Sequence, residues 1–207
     1  MTEFDRHAHW QGVYSSKNET EVSWFEQSPA ISLELIRRSG VDSGASIIDI
    51  GGGASRLVDA LLDHGYRAIS VLDLSGKALS VARTRLGPRA SQVTWIDSDV
   101  TRWEPERTYD LWHDRAAFHF LIDPAERRAY VERLTRGTSA GSQAIIGTFA
   151  LDGPDRCSGL PVTRHDANSL KQALGESFEL EETHPYEHRT PGSGIQRFQF
   201  SRFRKLR

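Results

Sequence analysis

Apolar residues in this chain fall into short continuous runs, and these alternate with stretches in which apolar positions recur every three or four residues. Short continuous runs suit strands covered on both faces, whereas the wider spacing suits helices that bury one stripe. The pattern predicts strands over residues 47–50, 68–72, 93–96, 109–113 and 144–149, with helices between them. Ser28 followed by Pro29 reads as a cap and first turn, Ile31, Leu35 and Ile36 form the stripe, and Gly40 closes the helix. Ser55 and Ser75 are placed to cap the helices after the first and second strands. Asp123, Pro124 and Glu126 predict a capped start, with a capping box, for a helix running to about Arg136. This alternation defines a parallel α/β sheet.

Beyond the fifth strand the pattern changes. Residues 151–169 form a long stretch with Gly and Pro, followed by a short helix at 168–174. The segment from 178 onward then alternates apolar and polar residues on both sides of Thr190-Pro191-Gly192-Ser193-Gly194, which predicts an antiparallel hairpin. There is no internal repeat, and the length suits one domain over residues 1–207. Within it we expect a lid and first helix over 1–40, a binding core over 46–150, and a loop, helix and hairpin on the acceptor side over 151–207.

Lys plus Arg number 26 against 28 Asp plus Glu, a formal charge of −2, so neither a phosphate backbone nor an anionic membrane surface is the expected partner. The residues around Asp99 and Asp114 also lack the N/D-P-P-aromatic tetrad used on exocyclic base amines. No run is long enough for a membrane span, and the first residues carry no apolar signal core. A single cysteine, Cys157, excludes an intrachain disulfide framework and a cysteine-rich zinc site, fits a reducing compartment, and leads us to expect a cytoplasmic protein without a metal.

The candidate chemistry starts where the first strand meets Gly51-Gly52-Gly53 and a helix. Clustered glycines there let the backbone approach a ligand and aim helix N–H groups at it. Asp73 ends the second strand, 20 residues beyond Gly53, where a carboxylate accepts hydrogen bonds from the hydroxyls of an adenosine ribose. A dinucleotide fingerprint starting at Gly51 puts its third glycine position on Arg56, whose bulk opposes close helix–strand packing, so NAD is disfavoured. S-adenosylmethionine carries the same ribose without a pyrophosphate. Asp49, two residues before Gly51, is expected to brace the loop by accepting backbone N–H groups.

The ordered set Asp49-Ile50-Gly51-Gly52-Gly53-Ala54-Ser55, Leu72-Asp73-Leu74-Ser75, Asp97-Ser98-Asp99-Val100 and Tyr109-Asp110-Leu111-Trp112-His113-Asp114 resembles the motifs of class I S-adenosylmethionine-dependent methyltransferases. The resemblance implies a Rossmann-like three-layer sandwich around a seven-stranded, mostly parallel sheet of order 3-2-1-4-5-7-6, strand 7 antiparallel. It further implies that Gly51, Gly52 and Gly53 line the methionine portion, Asp73 holds the ribose, and Leu74 packs on the adenine. Asp99 would meet the adenine amino group, the backbone of Val100 would read the ring edge, and His113 with Asp114 would sit beside the transferred methyl group. Ser55 stands where the family often has another glycine. The aromatic group Trp10, Tyr14, Trp24 and Phe25 suggests a lid, with Trp24 against the cofactor; it is similar to N-terminal segments of thiol, thiopurine and elongation-factor lysine methyltransferases.

Asp114, His113 and His119 are the candidates for catalytic base, with Asp114 preferred. His165, Tyr186, His188 and Arg189 are candidates for the acceptor pocket. The expected activity is methyl transfer to sulfur, nitrogen or oxygen of a small-molecule acceptor, releasing S-adenosylhomocysteine. Alternatives are a protein lysine acceptor and a non-catalytic cofactor binder. The expected assembly is a monomer or homodimer.

Overall fold

The computed structural model describes residues 5–207. Nine strands and six α-helices follow in the order α1 (Arg6–Ser16), α2 (Ala30–Arg38), β1 (Ser46–Ile50), α3 (Leu57–Asp63), β2 (Ala68–Asp73), α4 (Gly76–Leu86), β3 (Val93–Asp97), β4 (Tyr109–Arg115), α5 (Pro124–Arg136), β5 (Thr138–Phe149), β6 (Arg156–Cys157), β7 (Leu160–Pro161), α6 (Ala167–Leu174), β8 (Phe178–Arg189) and β9 (Ile195–Lys205). Seven strands form one sheet, ordered β3-β2-β1-β4-β5-β9-β8. β1 to β5 pair in parallel, and β9 lies antiparallel to both its neighbours. Counted within this sheet, the order is the expected 3-2-1-4-5-7-6. The remaining two strands, β6 and β7, make a small hairpin inside the 151–169 stretch.

Both faces of the sheet are covered, as continuous apolar strands require. In β1 the two-residue period sends Ile47 to one layer, with Leu35, Leu57, Leu61 and Leu79 of α2, α3 and α4. Ile48 and Ile50 go to the other, with Tyr130, Leu134, Leu170 and Leu174 of α5 and α6. The result is a three-layer Rossmann-like sandwich.

Ser75 caps α4 through Ala78 N, and Asp123 caps α5 through Ala125 N, as expected. Ser28 caps nothing, because Pro29 occupies the cap position and α2 starts at Ala30. α3 begins at Leu57, with Arg56 at its cap, and Ser55 reaches only Leu57 N at 3.1 Å. Glu126 pairs with Arg6 of α1 at 2.7 Å instead of closing a capping box. β5 starts at Thr138, six residues before the apolar run, since residues 139–141 are exposed and polar or small.

The segment ahead of β1 does fold over the sheet. Gln11 Oε1 on α1 accepts from Ser75 Oγ at 3.0 Å and Lys77 N at 3.1 Å, so the lid helix sits on the first turn of α4. Glu19 pairs with Arg56 at 2.8 Å and with Arg85, tying the next turn to α3 and α4. Residues 1–4 of the expected lid lie outside the described residues.

Candidate active site

The order of the sheet reverses between β1 and β4, and a cavity opens at the carboxyl ends of the strands there, where ligands bind in open α/β sheets. It encloses about 880 Å³, its open mouth included. Gly51, Asp73, Leu74, Asp99 and Val100 line one part, Trp10, Tyr14 and Trp24 cover it, and Arg115, Phe149, Cys157, Gln196 and Phe198 line the rest.

At Gly51 the backbone adopts φ +67°, and a Cβ would stand 2.8 Å from that of Ala117. The N–H groups of Gly51 and Gly52 donate to Leu72 O at 2.7 and 3.3 Å, which holds the loop against the end of β2. At Gly53, φ +36°, a Cβ would stand 2.6 Å from Asp73 Oδ2. The missing side chain thus leaves room for the acid that ends β2. Asp73 is buried, and its Oδ1 accepts from Ser75 N at 2.8 Å. Burial, reinforced by the charges of Asp49 and Asp97, pushes its carboxyl up to about 7, against the opposing Ser75 bond. A group that supplies hydroxyl donors there would restore the solvation this carboxylate lacks. The glycine approach, a buried acid short of donors and an adjoining apolar wall all fit an adenosyl ribose.

Asp99 Oδ1 accepts from Thr101 N and Oγ1 at 2.8 and 2.7 Å, while its Oδ2 lies 3.5 Å from Arg6. Trp24 Nε1 donates to Tyr14 Oη at 3.2 Å, and Trp10 packs edge-on against Trp24 and Phe120.

Several expected residues lie elsewhere. Asp49 does not brace the glycine loop through its N–H groups: its Oδ1 bonds His113 Nδ1 at 2.7 Å. The second nitrogen of His113 bonds Ser32 Oγ at 2.9 Å, so the buried ring is spent beneath the loop and does not line the cavity. Asp114 is also buried behind the wall. It accepts from Ala117 N at 2.9 Å, Phe118 N at 3.1 Å and Tyr130 Oη at 2.7 Å, which fixes the turn that carries Ala116 and Ala117 into the cavity wall. His119 is fully buried beside Phe120 and Phe149, and burial holds its ring down to about 3, so it stays neutral. None of the three candidate bases reaches the cavity.

His165 is buried against Phe118, and Tyr186, His188 and Arg189 face a separate outer groove. Tyr186 and His188 nevertheless meet Glu26, which in turn pairs with Arg115 of the cavity wall at 3.1 Å. Among the described residues no group of three or more His, Cys, Asp or Glu is arranged to hold a metal. No helix among them is long and apolar enough to cross a membrane.

Sequence reading missed Arg6, Arg115 and Gln196 as cavity residues. For Gln196 a signal existed: alternation along β9 puts it in the same inward series as Phe198 and Phe200, a polar residue where the rhythm calls for an apolar one.

Residues 47–141 match the family described as a methyltransferase domain. That stretch carries the strand-end motifs and is just under half of the chain, and the sheet order is the one expected of the class I S-adenosylmethionine-dependent methyltransferase fold. Nodulation protein S of Rhizobium tropici is 27% identical over 104 residues, 50% of this chain and 43% of the relative. Trans-aconitate 2-methyltransferase of Rhizobium etli is 29% identical over 126 residues, 60% of this chain and 41% of the relative. The chain thus matches less than half the length of these two relatives. The structure of the N-methyltransferase NodS from Bradyrhizobium japonicum WM9, in complex with S-adenosyl-L-homocysteine, superposes with a TM-score of 0.74 at 17% identity over 98% of this chain and 100% of that one.

Proposed function

We propose that the protein is an S-adenosylmethionine-dependent methyltransferase whose acceptor is a small molecule enclosed beneath the lid. One observation carries this reading: a single cavity joins the strand ends at Gly51 and Asp73 to a second, aromatic end at Phe149 and Phe198, with Trp10, Tyr14 and Trp24 over the top. A lidded chamber favours a molecule that enters whole over a side chain on a large protein surface. The small-acceptor relative that acts on trans-aconitate supports the same preference.

In this reading Asp73 holds the ribose, Gly51 to Gly53 give room to the methionine portion, Leu74 and Val100 flank the adenine, and Asp99 lies at its edge. Bound there, S-adenosylmethionine supplies a methyl group already activated by the sulfonium. The chain's task is then alignment and exclusion of water. The aromatic faces of the lid suit a cation beside them.

With Asp73 and Asp99 assigned to the nucleoside, the titratable residues left on the wall leave little scope for a general base. Burial pushes the Cys157 thiol up to about 12, and burial together with the Asp73 charge raises the Tyr14 phenol further, so both stay protonated near neutrality. We infer that the acceptor brings its own nucleophilic lone pair or loses its proton to water.

The test is a screen with methyl-labelled cofactor against thiols, amines, hydroxyl compounds and cell lysate, fractionated by size. Label in a small-molecule fraction is the expected result. Label confined to protein would show a protein acceptor, and cofactor uptake without transfer to any nucleophile would show a binding protein.

A further inference from the structure

Besides the Cys157 thiol and the Tyr14 hydroxyl, two polar side chains interrupt the apolar acceptor end of the cavity. Arg115, at the end of β4, and Gln196, at the start of β9, both line it, and both are anchored on the same short segment below the lid. Arg115 Nη1 donates to Trp24 O at 3.0 Å, and Gln196 Nε2 stands 3.5 Å from Ser23 Oγ.

Each retains unused hydrogen-bonding capacity. Gln196 is 9% exposed and its Oε1 is buried without a partner. Arg115 Nε is also unpartnered, and Nη2, although 3.1 Å from Glu26 Oε1, makes no hydrogen bond there. Buried polar atoms are seldom left unpaired, so an orphan acceptor and orphan donors on one cavity wall describe what that wall is missing. The missing group accepts from Arg115 and donates to Gln196.

Charge narrows the class. Glu26 balances Arg115: burial raises its carboxyl, but the His188 hydrogen bond, the Arg115 charge and the Tyr186 hydroxyl outweigh this and hold it below the ordinary range. Adding an anion would leave an uncompensated charge among aromatic rings, which is costly. The surroundings are flat and unsaturated: the Arg115 guanidinium lies 5.4 Å over the Phe198 ring, and Phe149 meets Phe198 edge-on at 4.8 Å.

We propose that Arg115 and Gln196 form an acceptor-recognition subsite for a neutral amide-like group, a carbonyl oxygen beside an N–H, carried on a flat apolar frame. The proposal rests on reading this cavity as the methyl-transfer site and adds the class of acceptor. The amide-like group is the anchor; the nucleophile lies elsewhere on the same molecule, toward Tyr14 and Gly51.

The experiment uses the full chain saturated with S-adenosylhomocysteine and three probes on one ring: benzamide, benzoate and N,N-dimethylbenzamide, each titrated by calorimetry. Benzamide is expected to bind at least ~10-fold more tightly than either of the others, the equivalent of about 1.4 kcal/mol. Gln196→Leu should bring benzamide to the level of the dimethyl compound while leaving affinity for S-adenosylhomocysteine unchanged, which also reports that the variant is folded. Benzoate binding most tightly, equal binding of the three, or binding of none overturns the subsite. Failure of the wild-type protein to take up S-adenosylhomocysteine instead overturns the methyl-transfer reading beneath it.

Discussion

Asp49 and His113 are direct register partners on β1 and β4, and their side chains meet at 2.7 Å beneath the glycine loop. Neighbouring parallel strands put same-register side chains on one face, so this bond clamps together the two strands that flank the topological switch. Ser32 of α2 completes the clamp at 2.9 Å from the far ring nitrogen. His113→Phe keeps the ring volume but leaves two buried polar groups unpaired. Urea unfolding should show a loss of about 2 kcal/mol or more. Asp49→Asn, which keeps an acceptor, should cost less.

If Asp73 holds the ribose as proposed, it sets cofactor binding against stability. Its folded carboxyl is raised from an ordinary 3.8 to about 7, so the folded state holds the proton more tightly than the unfolded chain. The stabilising contribution is therefore complete below the ordinary value and is lost as pH rises to about 7. Asp73→Asn should raise the melting temperature of the cofactor-free protein at pH 8. The same change should weaken S-adenosylhomocysteine by about 10- to 100-fold, since a charged acceptor is lost. In the wild type, affinity for that ligand should fall as pH drops below about 7, by at most ~10-fold per pH unit.

Asp114 separates a positioning role from a catalytic one. Burial pushes its carboxyl up to about 6, although Tyr130, Ala117 and Phe118 all bond to it. Asp114→Asn should destabilise the fold by about 1–3 kcal/mol, because Tyr130 Oη or a turn amide loses a good partner. The pH–rate profile of the surviving activity should keep its shape. A profile that loses its acidic limb in the variant would restore Asp114 as the base.

Gln11 joins the lid to the sheet through two hydrogen bonds to the start of α4. Gln11→Leu should loosen that junction, and stopped-flow measurements should show S-adenosylhomocysteine leaving several-fold faster. Melting of the sheet itself should change little, since α1 buries none of its own residues completely.

The parts legible in sequence were those set by local pattern. Continuous apolar runs marked the strands, Ser75 and Asp123 marked two helix starts, and Gly51 after β1, Asp73 at the end of β2 and Asp99 after β3 located the cavity. Side-chain direction was not legible. His113 and Asp114 are adjacent at the end of β4, yet alternation turns one to Asp49 and the other to Tyr130, and neither to the cavity. Ser28 failed as a cap because a rule of composition could not tell that Pro29 itself holds the cap position. Gln196 and Arg115 lie 81 residues apart in sequence and line one cavity only because β9 inserts between β5 and β8.

That insertion of β9 gives the cavity two walls of separate origin. Gly51 to Val100 supply one, and Phe149, Cys157, Gln196 and Phe198 supply the other. On the proposed reading, substitutions in the terminal hairpin can therefore retune which molecule is accepted while the nucleoside side stays intact. Descendants of such a scaffold can exchange substrates by altering a few inward positions of one strand, with no need to reinvent the methyl donor's berth.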